Sequence, residues 1–364
     1  NITHCRQGVQ GVFGKSDFNL IHKLQAKILM KTIVIYSKSY DSKMFKIKKD
    51  FYLNNKKNLQ SIININNIYK RQTKRDNCQN CEKKINSKDI SSFGIDYIIC
   101  KKCLHLNGKY QNSNKFAYEL YKGEKSKFYS LNYIKDFKGR VESIYRPKVK
   151  FLKKIIKDKF TLTDIGSGAG HFLKALEIEN IKSSGYETSN HLVKIAKKFI
   201  KKNKIELMDF HKINKIIENN KSDCISLIGV LEHLSDPNLA IKSFKESKSK
   251  YLYISVPLFS FTTFLEHANP KVFPRQLGGG HTHLYTKKSL YYLFKKYKLN
   301  IIGEWWFGTD MPDLYRTLTN NFSSKNSKFF ETNFHSFFSN YINEFQHILD
   351  KNKVCSEVHI VVKK

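Results

Sequence analysis

From Phe160 to the end of the chain, short apolar runs alternate with amphipathic stretches. The runs at 161–165, 182–187, 204–208, 222–228, 250–256 and 299–306 have strand length, and apolar positions recur at helical spacing over 170–179, 190–201, 211–218 and 237–246. A further helix, "KKSLYYLFKKYK", precedes the sixth run. An aromatic-rich helical stretch occupies 313–351, and "SEVHIVVKK" closes the chain as an alternating strand. This alternation predicts an α/β fold, a Rossmann-like, doubly wound, mostly parallel sheet of seven strands with helices on both faces. Upstream, 113–156 reads as helical and basic. Pro147 suits the first turn of a helix whose stripe is Val149, Leu152, Ile155 and Ile156. The apolar run Ile33–Tyr36 stands in Lys/Asn-rich sequence with no assigned element.

The first strand of the alternating region ends in "LTDIGSGAGHF", Leu162–Phe172. Gly166, Gly168 and Gly170 leave the strand and enter a helix, where positive φ and close backbone approach favour glycine. The pattern is GxGxG, unlike the GxGxxG that cradles a pyrophosphate. Asp164, two residues ahead, suits a ligand that carries a cation. Glu187 ends the second strand, where a carboxylate can accept both hydroxyls of a ribose. Asp209 in "LMDF" sits beside a candidate adenine edge, and "LIGVLEHLSDP" puts Glu232 and His233 at the mouth of the fourth strand.

Beyond the fifth strand lies "LEHANPKVFPRQLGGGHTHLYTKKSL", which offers Glu266, His267, Arg275, His281, His283 and Tyr285, with Gly278–Gly280 as a candidate hinge. His233, His281, His283 and Tyr285 are the candidate catalytic residues, because an acceptor that must lose a proton needs a base, most often His. His281 and His283 alone are too few for a metal site. "DMPDLYR" (Asp310–Arg316) reads either as a substrate wall or as a helix start with Asp310 near its N-cap.

Two CxxC pairs, Cys78/Cys81 and Cys100/Cys103, stand 18 residues apart. The spacing fits a zinc ribbon in which four thiolates close a tetrahedral, structural Zn2+ site; a redox dithiol is the rival. Cys5, Cys224 and Cys355 are unrelated to this set, and Cys224 reads as core.

"TDIGSGAGHFL", "GYETS", "MDF" and "GVLEHLSDP", in that order, resemble the motifs of class I S-adenosylmethionine-dependent methyltransferases. The resemblance implies that the backbone of Gly166, Ser167, Gly168 and Gly170 faces the methionine part of S-adenosylmethionine, and that Asp164 orients it. It further implies that Glu187, with Thr188, holds the ribose, that Asp209, with Phe210, meets the adenine, and that Val230 and Leu231 lie beside the sulfonium. An N-terminal zinc ribbon joined to such a domain also resembles a bacterial group encoded with surface-polysaccharide and sugar-modification enzymes. The catalytic pattern of the related sugar C-methyltransferases finds no residue-by-residue match. The domain plan that follows is 1–73 unassigned, 74–108 zinc ribbon, 109–150 helical connector and 151–364 methyltransferase. Met30 is a candidate start, which would leave 1–29 without native structure.

Composition adds constraints. Hydrophobic residues make up 40% of the 364 positions, enough for a sizeable core, and the formal charge is +34. The excess is nearly all Lys, spread along the chain together with Asn and Ile, as an AT-rich genome would produce. A nucleic-acid partner is therefore not favoured. No apolar run approaches the roughly 20 residues of a membrane span, and no leader pattern is visible, so a cytoplasmic location is expected. "GVQGVFGKS" (Gly8–Ser16) imitates a phosphate-binding loop with the wrong glycine spacing. The expected function is methyl transfer to a small molecule, a sugar or nucleotide-sugar. An RNA or protein methyltransferase and a non-catalytic cofactor- and zinc-binding module are the alternatives. The oligomeric state is left open.

Overall fold

In chain order the strands are β1 (Ile33–Tyr36), β2 (Ile90–Ser92), β3 (Ile95–Ile99), β4 (Leu106–Gly108), β5 (Leu162–Ile165), β6 (Ser183–Glu187), β7 (Lys204–Leu207), β8 (Cys224–Ile228), β9 (Tyr251–Pro257), β10 (His283–Leu284), β11 (Asn300–Phe307) and β12 (Glu357–Lys363). The helices are α1 (Asn55–Tyr69), α2 (Asn114–Tyr121), α3 (Arg146–Ile155), α4 (His171–Ile178), α5 (Asn190–Phe199), α6 (Ile213–Glu218), α7 (Pro237–Glu246), α8 (Phe261–Ala268), α9 (Lys287–Lys296), α10 (Asp310–Ser324) and α11 (Lys328–Lys351). This computed structural model describes residues 32–38, 54–121, 136–324 and 328–364. Cys5, Gly8–Ser16 and Met30 lie outside the described residues.

The large sheet has the order β1-β11-β12-β9-β8-β5-β6-β7. The pairs from β7 through β9 are parallel, β12 runs antiparallel between β9 and β11, and β1 is parallel to β11. The expected parallel sheet is present, with eight strands rather than seven. The extra strand is the unassigned run Ile33–Tyr36, which forms the edge beyond β11. Four apolar or aromatic residues carry no periodicity long enough to reveal their partner.

Helices cover both faces of the sheet, so β8 and β9 are buried on both sides. "CISLI" of β8 is buried over its first four residues, and one apolar cluster lies on each face, around Ile225 and Phe244 on one and around Leu173 and Tyr253 on the other. Caps fix the helix starts. Asp236 accepts from Leu239 N at 2.9 Å ahead of Pro237, and Thr286 with Ser289 forms a capping box on α9.

The second sheet is small, with order β10-β4-β3-β2. Strands β2–β4 carry the two CxxC knuckles. The last member, β10, is His283–Leu284 from the loop beyond β9, paired antiparallel with Asn107 and Leu106. Gly108 N donates to Thr282 O at 2.8 Å and extends the pairing. One core holds this module together: Ile65 and Tyr69 of α1, Ile95, Tyr97 and Leu106 of the ribbon, Phe116 and Leu120 of α2, and Leu277 and Leu284 of the loop. The boundaries expected at 74 and 109 therefore move. Helix α1 precedes the ribbon and packs on it, and α2 closes its other side. The large sheet takes its first helical turns from Phe137 onward, since Phe137, Val141 and Val149 lie in the same core as β5.

Leu284 is fully buried in the shared core. Leu284→Ala is expected to cost about 2–5 kcal/mol, as large-to-small core changes do. Urea denaturation measures it, and a loss under about 1 kcal/mol would mean that the loop is not packed into the ribbon core.

Candidate functional site

The carboxyl ends of β5, β6 and β8 meet at one edge of the sheet, where open α/β sheets bind ligands. The turn after β5 holds Gly166, Gly168 and Gly170 at φ of +75°, +56° and +81°. Their surroundings differ. A Cβ on Gly170 would stand 2.6 Å from Ile200 Cδ1 of the segment after α5, whereas one on Gly168 would meet nothing within 4 Å. Gly170 is thus a packing glycine, and Gly168 borders open space.

Two acids bracket that space. Asp164 is buried and accepts from Ser226 Oγ at 2.6 Å. Burial raises its pKa to about 7, against the opposing hydrogen bonds of Ser226 and Ser167. Ser167 also ties the turn by donating to Asp164 O at 2.9 Å. Glu187, at the end of β6, accepts from Gly168 N at 2.7 Å, from Ser189 N at 2.8 Å and from Thr188 Oγ1 at 3.2 Å. The carboxylate is held against the glycine turn by backbone donors.

Asp209 is exposed, caps the short turn after β7 by accepting from His211 N at 3.1 Å, and precedes the half-buried Phe210. Val230 is half-buried, with Cγ2 2.6 Å from where a Gly166 Cβ would be, so it stands beside the turn. Leu231 is fully buried in the core beneath β8 and turns away from the open edge. Asp164, Ser167, the glycines, Glu187, Thr188 and Val230 are therefore brought together, and Leu231 is not part of the surface they form.

A second group lies where β8 ends. Glu232, His233 and His281 each offer a donor atom, all within 4.8 Å of one another. Glu232 is buried, which raises its pKa to about 8. The two histidines are half-buried and their rings stack at 5.2 Å. Burial lowers His233 to about 3, helped by His281, and lowers His281 to about 4, helped by Arg275. His233 Nδ1 lies 3.0 Å from Gly280 O. A carbonyl only accepts, so Nδ1 carries the proton and Nε2 the lone pair.

His283 and Tyr285 are fully buried and do not join this group. His283 Nδ1 is 2.9 Å from Nε2 of His105, a ribbon histidine, and the Tyr285 ring lies edge-on to both imidazoles. Burial there holds His105 down at about 3, so the pair is neutral. Their position in the seam, away from the open edge, removes them as base candidates. His105 went unnoticed in the sequence because it reads as a lone histidine after a knuckle.

Other polar groups of the loop also prove to be braces. Glu266 accepts from the backbone N–H groups of Arg275, Gln276 and Leu277 at 2.6–3.0 Å. Arg275 bonds Asp313 at 2.8 Å. Asp310 collects Ser260, Thr262, Gln346 and Ser356 N, so Asp310–Arg316 pins α8, α10 and β12 together and is no substrate wall. The Gly278–Gly280 stretch is clamped, since Gly279 N donates to the Asn66 side chain of α1 at 2.8 Å. It is not a hinge.

The four cysteine thiols converge behind this loop, all buried. Cys78 Sγ to Cys103 Sγ is 3.7 Å and Cys81 Sγ to Cys100 Sγ is 3.4 Å. Bonds of about 2.3 Å to one tetrahedral ion put sulfurs about 3.8 Å apart, while a disulfide needs about 2.05 Å. The donor set fits a metal and not a dithiol pair. Cys224 is core, as expected, and Cys355 is buried as well.

Residues 137–304 match a family described as a methyltransferase domain. No curated protein matches the chain. Among solved structures, magnesium protoporphyrin IX methyltransferase from Synechocystis PCC 6803 with bound SAH is similar at 11% identity. The match covers 68% of this chain and 96% of that one, with a TM-score of 0.43. A SAM-dependent methyltransferase from Archaeoglobus fulgidus is similar at 18% identity over 65% of this chain and 100% of that one, with a TM-score of 0.40. Likenesses of this size leave the acceptor open. Residues 137–304 thus form a class I methyltransferase domain, and the chain that carries it is an S-adenosylmethionine-dependent methyltransferase. Among the described residues no helix is long and apolar enough to cross a membrane.

The acid at the turn gives a pH test. A carboxyl whose folded pKa lies above its unfolded value of about 3.9 weakens the fold as pH rises through that interval. Without cofactor, Asp164→Asn is expected to gain on the wild type by up to about 1.4 kcal/mol per unit from pH 4 to 7, and no further above 7. Urea denaturation across that range checks it, and a constant difference would contradict a raised Asp164.

Proposed function

We propose that this methyltransferase acts on a small hydroxylated acceptor, a sugar or nucleotide-sugar. The observation that carries the reading is the Glu232–His233–His281 group, set at the open edge beside the glycine turn and roofed by the ribbon loop. Gly280 is packed against His233 and against Leu120 of α2, so the small module covers one side of the group. Cover of that kind on one side of the group suits a small acceptor better than a polymer. The Lys excess is distributed along the chain, which gives a polyanion no concentrated track.

S-adenosylmethionine supplies an electrophilic methyl group on a sulfonium. The residues at the turn fit it. Asp164 is a buried acid beside open space, suited to a cationic ligand, and Glu187 is preset by Gly168 N to accept ribose hydroxyls. Asp209 and Phe210 offer an acceptor and an aromatic face to the adenine, and Val230 flanks the sulfur. On the other side, the acceptor hydroxyl gives its proton to the Glu232–His233–His281 group. Its oxygen forms the new C–O bond as the S–CH3 bond breaks, and the electron pair stays on sulfur. Aligning the three atoms accounts for much of the rate. We also infer that the cysteine set holds one structural Zn2+, and that a chain whose described cysteines form no disulfide works in the reducing cytoplasm.

Calorimetric titration with S-adenosylmethionine should show micromolar binding that weakens about 10- to 100-fold in Glu187→Ala, the loss of one or two charge-assisted hydrogen bonds. A screen of nucleotide-sugars then reports on the acceptor. Methylation of RNA with a steep salt dependence, and none of sugars, would replace the sugar reading by a macromolecular one.

A further inference from the structure

Helix α11 carries apolar residues on two faces. On its inner face Phe338 and Ile342 are buried with Met311 of α10, and Phe334 and Leu349 pack beside them. Gln346 on that side bonds Asp310 and Asp350, which fixes how the helix is docked. The outer face holds Phe329, Phe330, Phe337, Tyr341, Phe345 and Ile348, each 39–74% exposed. Residues 337, 341, 345 and 348 follow at steps of three and four, so they form one stripe, with Phe330 two turns earlier on the same line. Ring centroids along it are 5.7 Å apart from Phe337 to Tyr341 and 6.3 Å from Tyr341 to Phe345. A helix that is apolar all round belongs inside a core, yet among the described residues this stripe stays open.

Area and charge both bear on what would cover it. Aromatic side chains bring about 150–250 Å² each, so the six expose roughly 600–700 Å² together. A stable interface buries about 800 Å² per partner, which this stripe and its polar flanks can supply. The chain has 65 Lys and Arg and a formal charge of +34. No Lys or Arg stands from Phe329 to Asp350, where Glu331, Glu344 and Asp350 are the charged residues. An anionic membrane or a polyanion selects a basic rim around such a stripe. A face cleared of lysines is instead the one that another strongly basic body can approach without repulsion.

We propose that this face is the two-fold interface of a homodimer, in which α11 pairs antiparallel with α11 of a second copy. The contact is isologous and closes at two copies. Antiparallel packing opposes the two helix dipoles. With the axis near Ser339, Phe337 meets Tyr341 of the second copy and Phe330 meets its Ile348. The pairing does not depend on what the enzyme methylates.

The test is sedimentation equilibrium of the full chain at micromolar concentration and physiological salt. The wild type should sediment at twice the mass of one chain. Phe337→Lys and Tyr341→Glu should each weaken association at least about 30-fold, the loss of a central hot-spot residue. Both side chains are exposed, so the unfolding midpoint and S-adenosylmethionine affinity should stay as in the wild type. An equimolar mixture of the two variants should associate again, because the introduced charges face each other only in the antiparallel pair. A monomeric wild type overturns the proposal, as does a dimer that both variants leave intact, and a mixture that stays monomeric overturns the antiparallel pairing. Cosedimentation of a monomeric wild type with phosphatidylglycerol vesicles, lost in both variants, would assign the face to a membrane instead.

Discussion

The site depends on a two-residue strand. His283–Leu284 leaves the methyltransferase sheet, crosses to the ribbon and adds to its edge, with Leu284 in the ribbon core and His283 against His105. Backbone pairing fixes the register of the loop, and register fixes which side chains face which way. With His283 committed inward, His281 two residues earlier falls beside His233. The ribbon also grips the other half of the site directly. The Asn112 side chain donates to His233 O at 2.8 Å, and Asn238 donates to Gln79 O at 2.9 Å. With a metal bound, the four thiolates would close its shell and leave no position for chemistry, so the contribution of the cluster would be to stiffen β2–β4 as a template.

The cofactor half is built by different means. The glycine turn, Asp164 and Glu187 belong to β5 and β6 and are held by neighbouring strands and by one another. The two halves have separate supports, so they are separable by mutation. Burial raises the pKa values of the acids at the edge, Asp164 and Glu232, at a cost to the fold near neutral pH. Groups perturbed in this way cluster at functional sites.

Much of this was legible in the chain. The six central strands and four helices follow from alternation of period 2 and 3.6, and observed boundaries such as α7 at 237–246 fall where the periodicity puts them. The glycine turn and the acids of β5 and β6 were legible because each sits at a fixed offset from a strand end. What sequence could not supply was contact across long separations. His281 and His283 differ by two positions, have the same chemistry and lie in the same loop, yet one faces the open edge and the other is sealed in a seam. Only the pairing with Asn107 decides between them. Asp310, Arg275 and Glu266 looked like substrate ligands for a related reason: a buried brace and a binding residue share the same letters. The strand at Ile33–Tyr36 was missed because its partner, β11, lies about 270 residues away.

A metal on the four cysteines would stiffen the ribbon and so order the acceptor loop, while the cofactor pocket stands on its own supports. The direct measurement is hydrogen exchange on the full chain, wild type against Cys100→Ser, with S-adenosylmethionine affinity read on the same samples. Protection is expected to collapse over residues 276–285 as well as in β2–β4, while the amides of β5, β6 and the glycine turn, and cofactor affinity, stay as in the wild type. Protection of 276–285 that survives loss of the cysteine site would contradict it.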